Sequence, residues 1–525
     1  MPIANKKKVL LVYPGSKLAG FTYPVGLLYI AQALLKTNID VSIFHMGVDN
    51  IKKLKLDDYL FVGIGMLTGE MISNGLRVAK LVKRYNNKIP IVIGGVHPSL
   101  LPEQSLQNEY VDVVVVGEGD RTIQELSLSL MNGQDLSEVK GIAYKDNNKN
   151  VVVNPPREFI DMNELEFDLP YELLGKHFPF SSTAPVHTSR GCPYRCSFCY
   201  NPAINKRKYR FKSADRVIDE IEYLYNKYNI DSFCFAYEDE FFIKPKRVYE
   251  IAEFILKKGL KIKWTSFCRF DTFDRAFDKF GEDFVNTLKK SGCRYLSFGA
   301  ESGSQRLLDE VIYKDIKVGQ VIRTVERLKK VGIAQRVSFI CCFPTETQND
   351  LNATFDVIDR ISHNNSRLVL GLFKLVPLPG TAIYELLKRE YDFKAPSSLE
   401  KWGDYRMLPT SPSYITWLPK EYVKMCHNLS LVAKYPFYGS FKSYKTYKEF
   451  AHNVDVVVGP GYCDYIIAKV QRWRYKNRFF RFMIENLIFN KLVEMRAFVQ
   501  RYVLRKYLPK SIYNALKRWY LKRVV

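Results

Sequence analysis

Over the first 135 residues, short apolar runs rich in β-branched side chains alternate with stretches whose apolar positions recur every three or four residues. The runs Val9–Tyr13, Val41–Phe44, Phe61–Ile64, Ile91–Ile93 and Val113–Val116 predict five buried strands. Helical patterns lie near 25–36, 70–85 and 120–131, with a short fourth at 102–107. This alternation predicts an α/β fold that opens with a doubly wound, Rossmann-like parallel sheet, covered on both faces and binding its ligand beyond the carboxyl ends of the strands. Gly15, Gly63, Gly65, Gly94, Gly95, Gly117 and Gly119 fall at those ends. Each is compatible with a tight turn; the set is equally compatible with a flat ligand surface.

A hairpin and a linker rich in Pro, Asn and Glu are expected over 139–180. A second alternating series follows, with strands at Pro185–Thr188, Ser232–Ala236, Ile262–Phe267, Arg294–Phe298, Arg336–Ile340 and Leu368–Leu375. Helical patterns near 214–229, 246–258, 278–290, 318–331, 348–362 and 381–388 come after them. Six βα units over 181–390 predict a partial (β/α)6 barrel of TIM type, with its chemistry at the strand C-termini. Beyond about 391 the alternation stops, and 391–525 is expected to be a basic, mainly helical region. The first domain is expected to end near 138.

Of the 525 residues, 47% are hydrophobic and 26% charged, a globular balance that excludes wholesale disorder. The net charge of +24 is uneven: residues 470–525 hold 15 Lys/Arg against 2 Asp/Glu. Phe480, Ile484, Leu487, Ile488, Leu492, Met495, Phe498, Val499 and Tyr502 define one face of a helix, and Ile512, Leu516, Trp519 and Tyr520 one side of another. The first face suits packing on the barrel. The last fifteen residues, with Lys517, Arg518, Lys522 and Arg523, suit contact with an anionic membrane surface. RNA is the competing, less favoured partner for such a tail. No secretory signal and no run of 18 apolar residues is visible, and none of the ten cysteines precedes Cys192, so a cytoplasmic location is expected, with possible peripheral contact at the inner membrane face.

The sharpest chemical signal is Thr188-Ser-Arg-Gly-Cys192-Pro-Tyr-Arg-Cys196-Ser-Phe-Cys199-Tyr200. Three cysteines spaced CxxxCxxC after a strand suit three corners of an iron–sulfur cube, leaving one iron open. A structural zinc site would need a fourth ligand, and His187 falls in a predicted strand. Cys341, Cys342, Cys426 and Cys463 could build a second cluster, which the adjacent pair and irregular spacing disfavour. Cys234, Cys268 and Cys293 read as small buried hydrophobes.

The motif and its six βα units resemble the radical S-adenosylmethionine superfamily, and the domain ahead of them is similar to the cobalamin-binding domain of its cobalamin-dependent class. Pro24-Val-Gly-Leu-Leu-Tyr-Ile-Ala31, Ile93-Gly-Gly-Val-His-Pro98, Val116-Gly-Glu-Gly-Asp120, Phe298-Gly-Ala-Glu-Ser-Gly-Ser304 and Val376-Pro-Leu-Pro-Gly-Thr381 carry the rest of the likeness, which covers residues 6 to about 390. The resemblance implies three cofactors: a 4Fe-4S cluster on Cys192, Cys196 and Cys199, S-adenosylmethionine, and cobalamin. It also implies a 5′-deoxyadenosyl radical that takes hydrogen from an unactivated carbon. Phe198 matches the position beside the adenine. Glu238, Asp239 and Glu240 match the segment that grips the amino group, and Arg269 and Glu301 match further cofactor contacts. Gly15, Gly65, Gly94, Gly95, Gly117, Glu118 and Gly119 are expected at the cobalamin. His97 is expected there too, or else capping its turn. No D-x-H-x-x-G segment is present, so no protein histidine is expected on cobalt.

Cys342 stands where the resembled family has glycine, and so would narrow the adenosine space or serve another purpose. The expected activity is methyl transfer from cobalamin to carbon in a small, hydrophobic or lipid-like substrate, with flavodoxin or ferredoxin as electron donor. The alternatives are cyclisation or rearrangement like that of the anaerobic protoporphyrin ester cyclase, a tRNA-modifying radical enzyme, and a regulator that has lost catalysis.

Overall fold

A computed structural model describes residues 6–15, 23–47, 49–55, 57–178, 183–235, 240–365, 367–405 and 413–432, with positions 466, 469, 470, 473 and 477. The chain divides into two compact units, residues 1–239 with 376–410 and residues 240–375 with 411–525.

In the first unit, Lys8–Tyr13, Asp40–His45, Phe61–Gly65, Ile91–Gly94 and Val113–Val115 are parallel strands. Counted along the chain they lie in the order 2-1-3-4-5. The order reverses at Lys8–Tyr13, so a crevice opens past the ends of the first and third strands. Val9, Val12, Phe61, Ile91 and Ile93 have no solvent exposure, and burying each such side chain contributes about 1.5–3 kcal/mol. The expected hairpin, Ile142–Lys145 with Val151–Val153, does not stand apart: it joins the sheet antiparallel to Val113–Val115. Helices Val25–Leu35, Glu70–Tyr85 and Gly119–Asn132 match the pattern, and a short helix at Val96–Leu100 adds to it.

Further along the same unit, Ala184–Val186 pairs in parallel with Ser232–Phe235. Ser189–Arg190 pairs antiparallel with Arg210–Phe211, closing the base of the cysteine-bearing loop. Gly191 opens that loop at φ +84°, and a Cβ there would lie 2.0 Å from the Lys208 carbonyl oxygen, so only glycine fits.

In the second unit, Lys263–Cys268, Cys293–Glu301, Ala334–Cys341 and Leu368–Lys374 form a parallel series in chain order. Between them run helices Phe270–Lys290, Val318–Val331 and Gln348–Ser362. Side chains alternate along each strand. Trp264, Leu296, Phe298, Val337, Phe339 and Cys341 are buried, whereas Phe267, Tyr295, Ser297, Ser338, Ile340 and Phe373 stay partly exposed. Helix Lys420–Val432 packs against Leu368–Lys374. The doubly wound sheet and the βα series together are the expected α/β architecture. Among the described residues no helix is long and apolar enough to cross a membrane.

Candidate active site

A cavity of about 420 Å³ lies within the first unit at the carboxyl ends of its parallel strands. Its floor is the glycine-rich rim: Gly63, Gly65, Gly94, Gly95, Gly117 and Gly119 all border it. Gly95 adopts φ +104°, and a Cβ there would lie 2.6 Å from the Met66 carbonyl oxygen. At Gly117 a Cβ would meet nothing within 4 Å. The rim is therefore open where glycine leaves it bare, as a broad planar ligand requires. Opposite, the wall comes from the cysteine-bearing segment: His187, Arg190, Tyr200, Ile204 and Asn205. Tyr200 directly follows Cys199, so one cavity borders both sequence features.

Charge fixes that wall to the rim. Arg190 grips Asp120 through two hydrogen bonds of 2.8 and 3.2 Å and reaches Glu118 at 3.2 Å. Arg210 takes Glu118 at 2.8 and 3.0 Å. Burial alone would raise the Asp120 carboxyl, but Arg190 outweighs it and holds that group below the usual carboxylate range. Behind the wall, fully buried Lys212 and Glu220 pair at 2.6 Å, and Lys212 also reaches the Tyr29 hydroxyl at 3.2 Å. His187 is buried at the cavity edge, and its Nε2 has no hydrogen-bond partner. Burial, with Arg190 and Lys212 nearby, lowers its pKa to about 3, so the imidazole is neutral.

The cysteine loop lies between the two short antiparallel strands. Cys196 is buried, and Cys192 and Cys199 are half-buried. The Cys199 amide donates to the Cys196 carbonyl at 3.1 Å, and the Asn201 amide donates to the Cys199 sulfur at 3.4 Å. An amide aimed at sulfur favours a thiolate and tunes a cluster bound there. Phe198 is half-buried beside Cys199.

In the second unit, tertiary structure joins residues that lie far apart in sequence. Glu240 accepts the Arg269 amide at 3.1 Å. The Arg269 guanidinium pairs with Asp271 at 2.8 Å and donates to the Lys314 carbonyl. Lys314 Nζ pairs with Glu301 at 2.6 Å, both side chains nearly enclosed. Glu301 ends its strand at φ +61°, a strained conformation outside glycine that turns the carboxylate toward Lys314. Burial raises the Glu240 carboxyl to about 7 despite the opposing Arg269.

The profile of the B12 binding domain matches residues 14–127, and that of the Radical SAM superfamily matches residues 186–358. An uncharacterised methyltransferase of Pyrococcus horikoshii is 34% identical over 395 residues, covering 72% of this chain and 82% of the relative. The chain belongs to the cobalamin-binding radical S-adenosylmethionine enzymes. The anaerobic magnesium-protoporphyrin IX monomethyl ester cyclase of Rubrivivax gelatinosus is 27% identical, covering 66% of this chain and 65% of that one. The cobalamin-dependent S-adenosylmethionine radical enzyme OxsB shares the fold at TM-score 0.68 and 18% identity, covering 99% of this chain and 84% of that one.

As a member of this family, the protein uses a 4Fe-4S cluster, S-adenosylmethionine and cobalamin. The described residues fit them. Three buried or half-buried thiols share one loop, with an amide donor on the Cys199 sulfur, and the glycine rim and His187, whose Nε2 has no hydrogen-bond partner, line one cavity.

Not every expected residue borders that cavity. Gly65, Gly94, Gly95, Gly117, Glu118 and Gly119 do; Gly15 and His97 are not among the lining residues. The turn at Gly95 starts the helix Val96–Leu100 and carries His97 inward, where its ring packs on Trp402 and its Nδ1 bonds Thr68 at 2.9 Å. His45 is likewise spent within its own turn, accepting the Gly47 amide at 3.1 Å. Glu238 and Asp239 lie outside the described residues, as do Cys463 and both amphipathic stretches of the basic tail. Cys268 and Cys293 are buried as expected, while Cys234 is only partly so. Sequence reasoning passed over the functions of Arg190, Arg210 and Lys314. Arg190 had a signal in its place two residues before Cys192, whereas Lys314 had none.

Proposed function

We propose that this enzyme transfers a methyl group to an unactivated carbon of a small hydrophobic or lipid-like molecule. The observation that carries the reading is the shared cavity, where the glycine rim and Tyr200, next to Cys199, border one space. When bound, the cluster and S-adenosylmethionine supply hydrogen-atom abstraction, and cobalamin supplies the methyl group.

The chain's own residues hold and shield these groups. Cys192, Cys196 and Cys199 bind three irons of the cluster. Phe198 flanks the adenine; Glu240, Arg269 and Glu301, with Glu238 and Asp239, serve S-adenosylmethionine. Lys314 and Asp271 fix Glu301 and Arg269 in place, so that acceptors for an ammonium group are set before it arrives. Gly65, Gly94, Gly95, Gly117, Glu118 and Gly119 cradle the corrin, and neutral His187 offers it a polar contact. The salt bridges of Arg190 and Arg210 hold the two walls together and exclude water. Residues 1–138 make the cobalamin domain, 139–180 its hairpin and linker, 181–390 the radical core, and 391–525 a basic C-terminal region.

The partly exposed strand face of the second unit, with Phe267, Tyr295, Ile340 and Phe373, supports an apolar substrate. Electrons come from a flavodoxin or ferredoxin, and the basic tail attaches to anionic membrane. Radical cyclisation is the second reading, favoured by the likeness to the protoporphyrin ester cyclase. Lipid extracts of cells with and without the protein, compared by mass, provide candidate substrates. With such a substrate, the reconstituted enzyme is expected to yield both 5′-deoxyadenosine and S-adenosylhomocysteine, and a product heavier by one methylene. A product without added methylene, and no S-adenosylhomocysteine, would replace methyl transfer with cyclisation.

A further inference from the structure

The second unit gathers three thiols that the radical chemistry does not use. Cys341, Cys342 and Cys426 are fully enclosed, and their sulfurs all lie within 4.8 Å of one another. Consecutive residues of a strand point to opposite faces, so Cys341 and Cys342 should diverge. They do not, because Cys342 leaves the strand at φ +68°, in the left-handed region, and its sulfur comes to 4.0 Å from that of Cys341. A residue other than glycine is strained in that conformation. The Trp417 indole N–H pins the turn by donating to the Cys342 carbonyl at 2.9 Å. Cys426 arrives from helix Lys420–Val432.

We propose that Cys341, Cys342 and Cys426 bind a single zinc ion as three thiolates, with a water molecule as the fourth ligand, at a site separate from the radical cluster. Spacing favours one ion over a cube. Zinc–sulfur bonds of about 2.3 Å in a tetrahedron put sulfurs about 3.8 Å apart, whereas a cube spreads its cysteines over different irons. Charge agrees. Three thiolates and a divalent ion carry one net negative charge, and the adjoining cation is Lys374, which is buried and under the electrostatic influence of all three sulfurs. A monovalent ion would leave an extra negative charge in an enclosed site, which is costly.

Next to Cys426, His427 Nδ1 lies 2.6 Å from Lys374 Nζ. Binding replaces three S–H bonds by three S–Zn bonds and sends three protons to solvent; no electron moves. Cys341 belongs to the buried strand face and Ile340 to the partly exposed one. The ion therefore lies behind the sheet, where it ties helix Lys420–Val432 to strand ends that carry no other covalent link.

The test uses the full-length protein, made anaerobically and assayed for zinc and iron by mass spectrometry. Wild type and the Cys192→Ala, Cys196→Ala, Cys199→Ala triple variant are expected to hold about one zinc per chain; Cys426→Ser is expected to lose the zinc while keeping its iron. Should Cys426→Ser fail to fold, the Cys192→Ala, Cys196→Ala, Cys199→Ala triple variant stripped by chelator and titrated with zinc alone provides the second reading. Zinc is then expected to protect Cys341, Cys342 and Cys426, and no other cysteines, from alkylation. Zinc retained in Cys426→Ser, iron in place of zinc at these thiols, a Cys341–Cys342 disulfide, or alkylation unchanged by zinc would each overturn the proposal.

Discussion

Two trios of cysteine serve opposite ends here. Cys192, Cys196 and Cys199 sit in a loop, partly open, with a backbone amide on one sulfur. Cys341, Cys342 and Cys426 are sealed between a strand end and a helix, with sulfur facing sulfur. Openness is what a reactive centre requires, since its partner must reach the metal; enclosure is what a fixed ion requires, since nothing else should. The same side chain thus acquires its function from access and from backbone conformation. Gly191 at φ +84° lets the first trio form, and Cys342 at φ +68° forces the second.

The largest effect expected from breaking this contrast is at the open trio. Cys192→Ala should lower 5′-deoxyadenosine formation from S-adenosylmethionine by at least about a thousandfold. Chromatography of reactions run without oxygen measures it, and persistent cleavage would remove the radical assignment.

Next comes the buried pair of the second unit. Glu301→Gln removes the carboxylate paired with the buried Lys314 ammonium and should destabilise the ligand-free protein by about 3–5 kcal/mol. Adding Lys314→Met should restore much of it. Denaturant melts decide, and an unchanged midpoint in the single variant would show that the pair contributes nothing to stability.

Asp120→Asn should cost less, about 1–3 kcal/mol, because Arg190 keeps Glu118 as a partner. Its pH signature is specific. A carboxyl held below its ordinary value adds stability above that value and loses it as pH falls through the lower folded one. Below about pH 4 the wild type should therefore lose stability more steeply than the variant, and parallel curves would contradict the pairing.

Glu240 predicts a pH dependence of opposite sign. Its folded value of about 7 lies above the ordinary carboxylate value, so the native state binds the extra proton. Stability should decline as pH rises from about 4.5 to 7, and Glu240→Gln should flatten that decline in ligand-free protein.

Local features were legible in the chain. The CxxxCxxC spacing, the glycine rim and the strand series depend on neighbours a few residues away, and they appear where expected. The boundaries of Lys8–Tyr13 and Phe61–Gly65 differ from the pattern by one residue. What stayed hidden depends on tertiary folding. Nothing near Lys314 announces Glu301, and nothing near Asp120 announces Arg190, 70 residues away. For His97 the sequence leaves two places open, at the cobalamin or in its own turn; Gly95 at φ +104° starts the helix that packs its ring on Trp402. The hairpin at 142–153 read as a separate piece because edge pairing with Val113–Val115 leaves no periodic trace. The adjacent pair and irregular spacing of Cys341, Cys342 and Cys426 disfavour a shared site in sequence, and the turn at Cys342 brings their sulfurs together.

The open trio is the premise on which the rest depends. Electron paramagnetic resonance of the reduced, full-length protein, recorded before and after adding S-adenosylmethionine, tests it most directly. A 4Fe-4S signal whose position shifts on addition, and which disappears in Cys199→Ala, is the predicted result. A cluster signal indifferent to S-adenosylmethionine, or one that survives in Cys199→Ala, would contradict it.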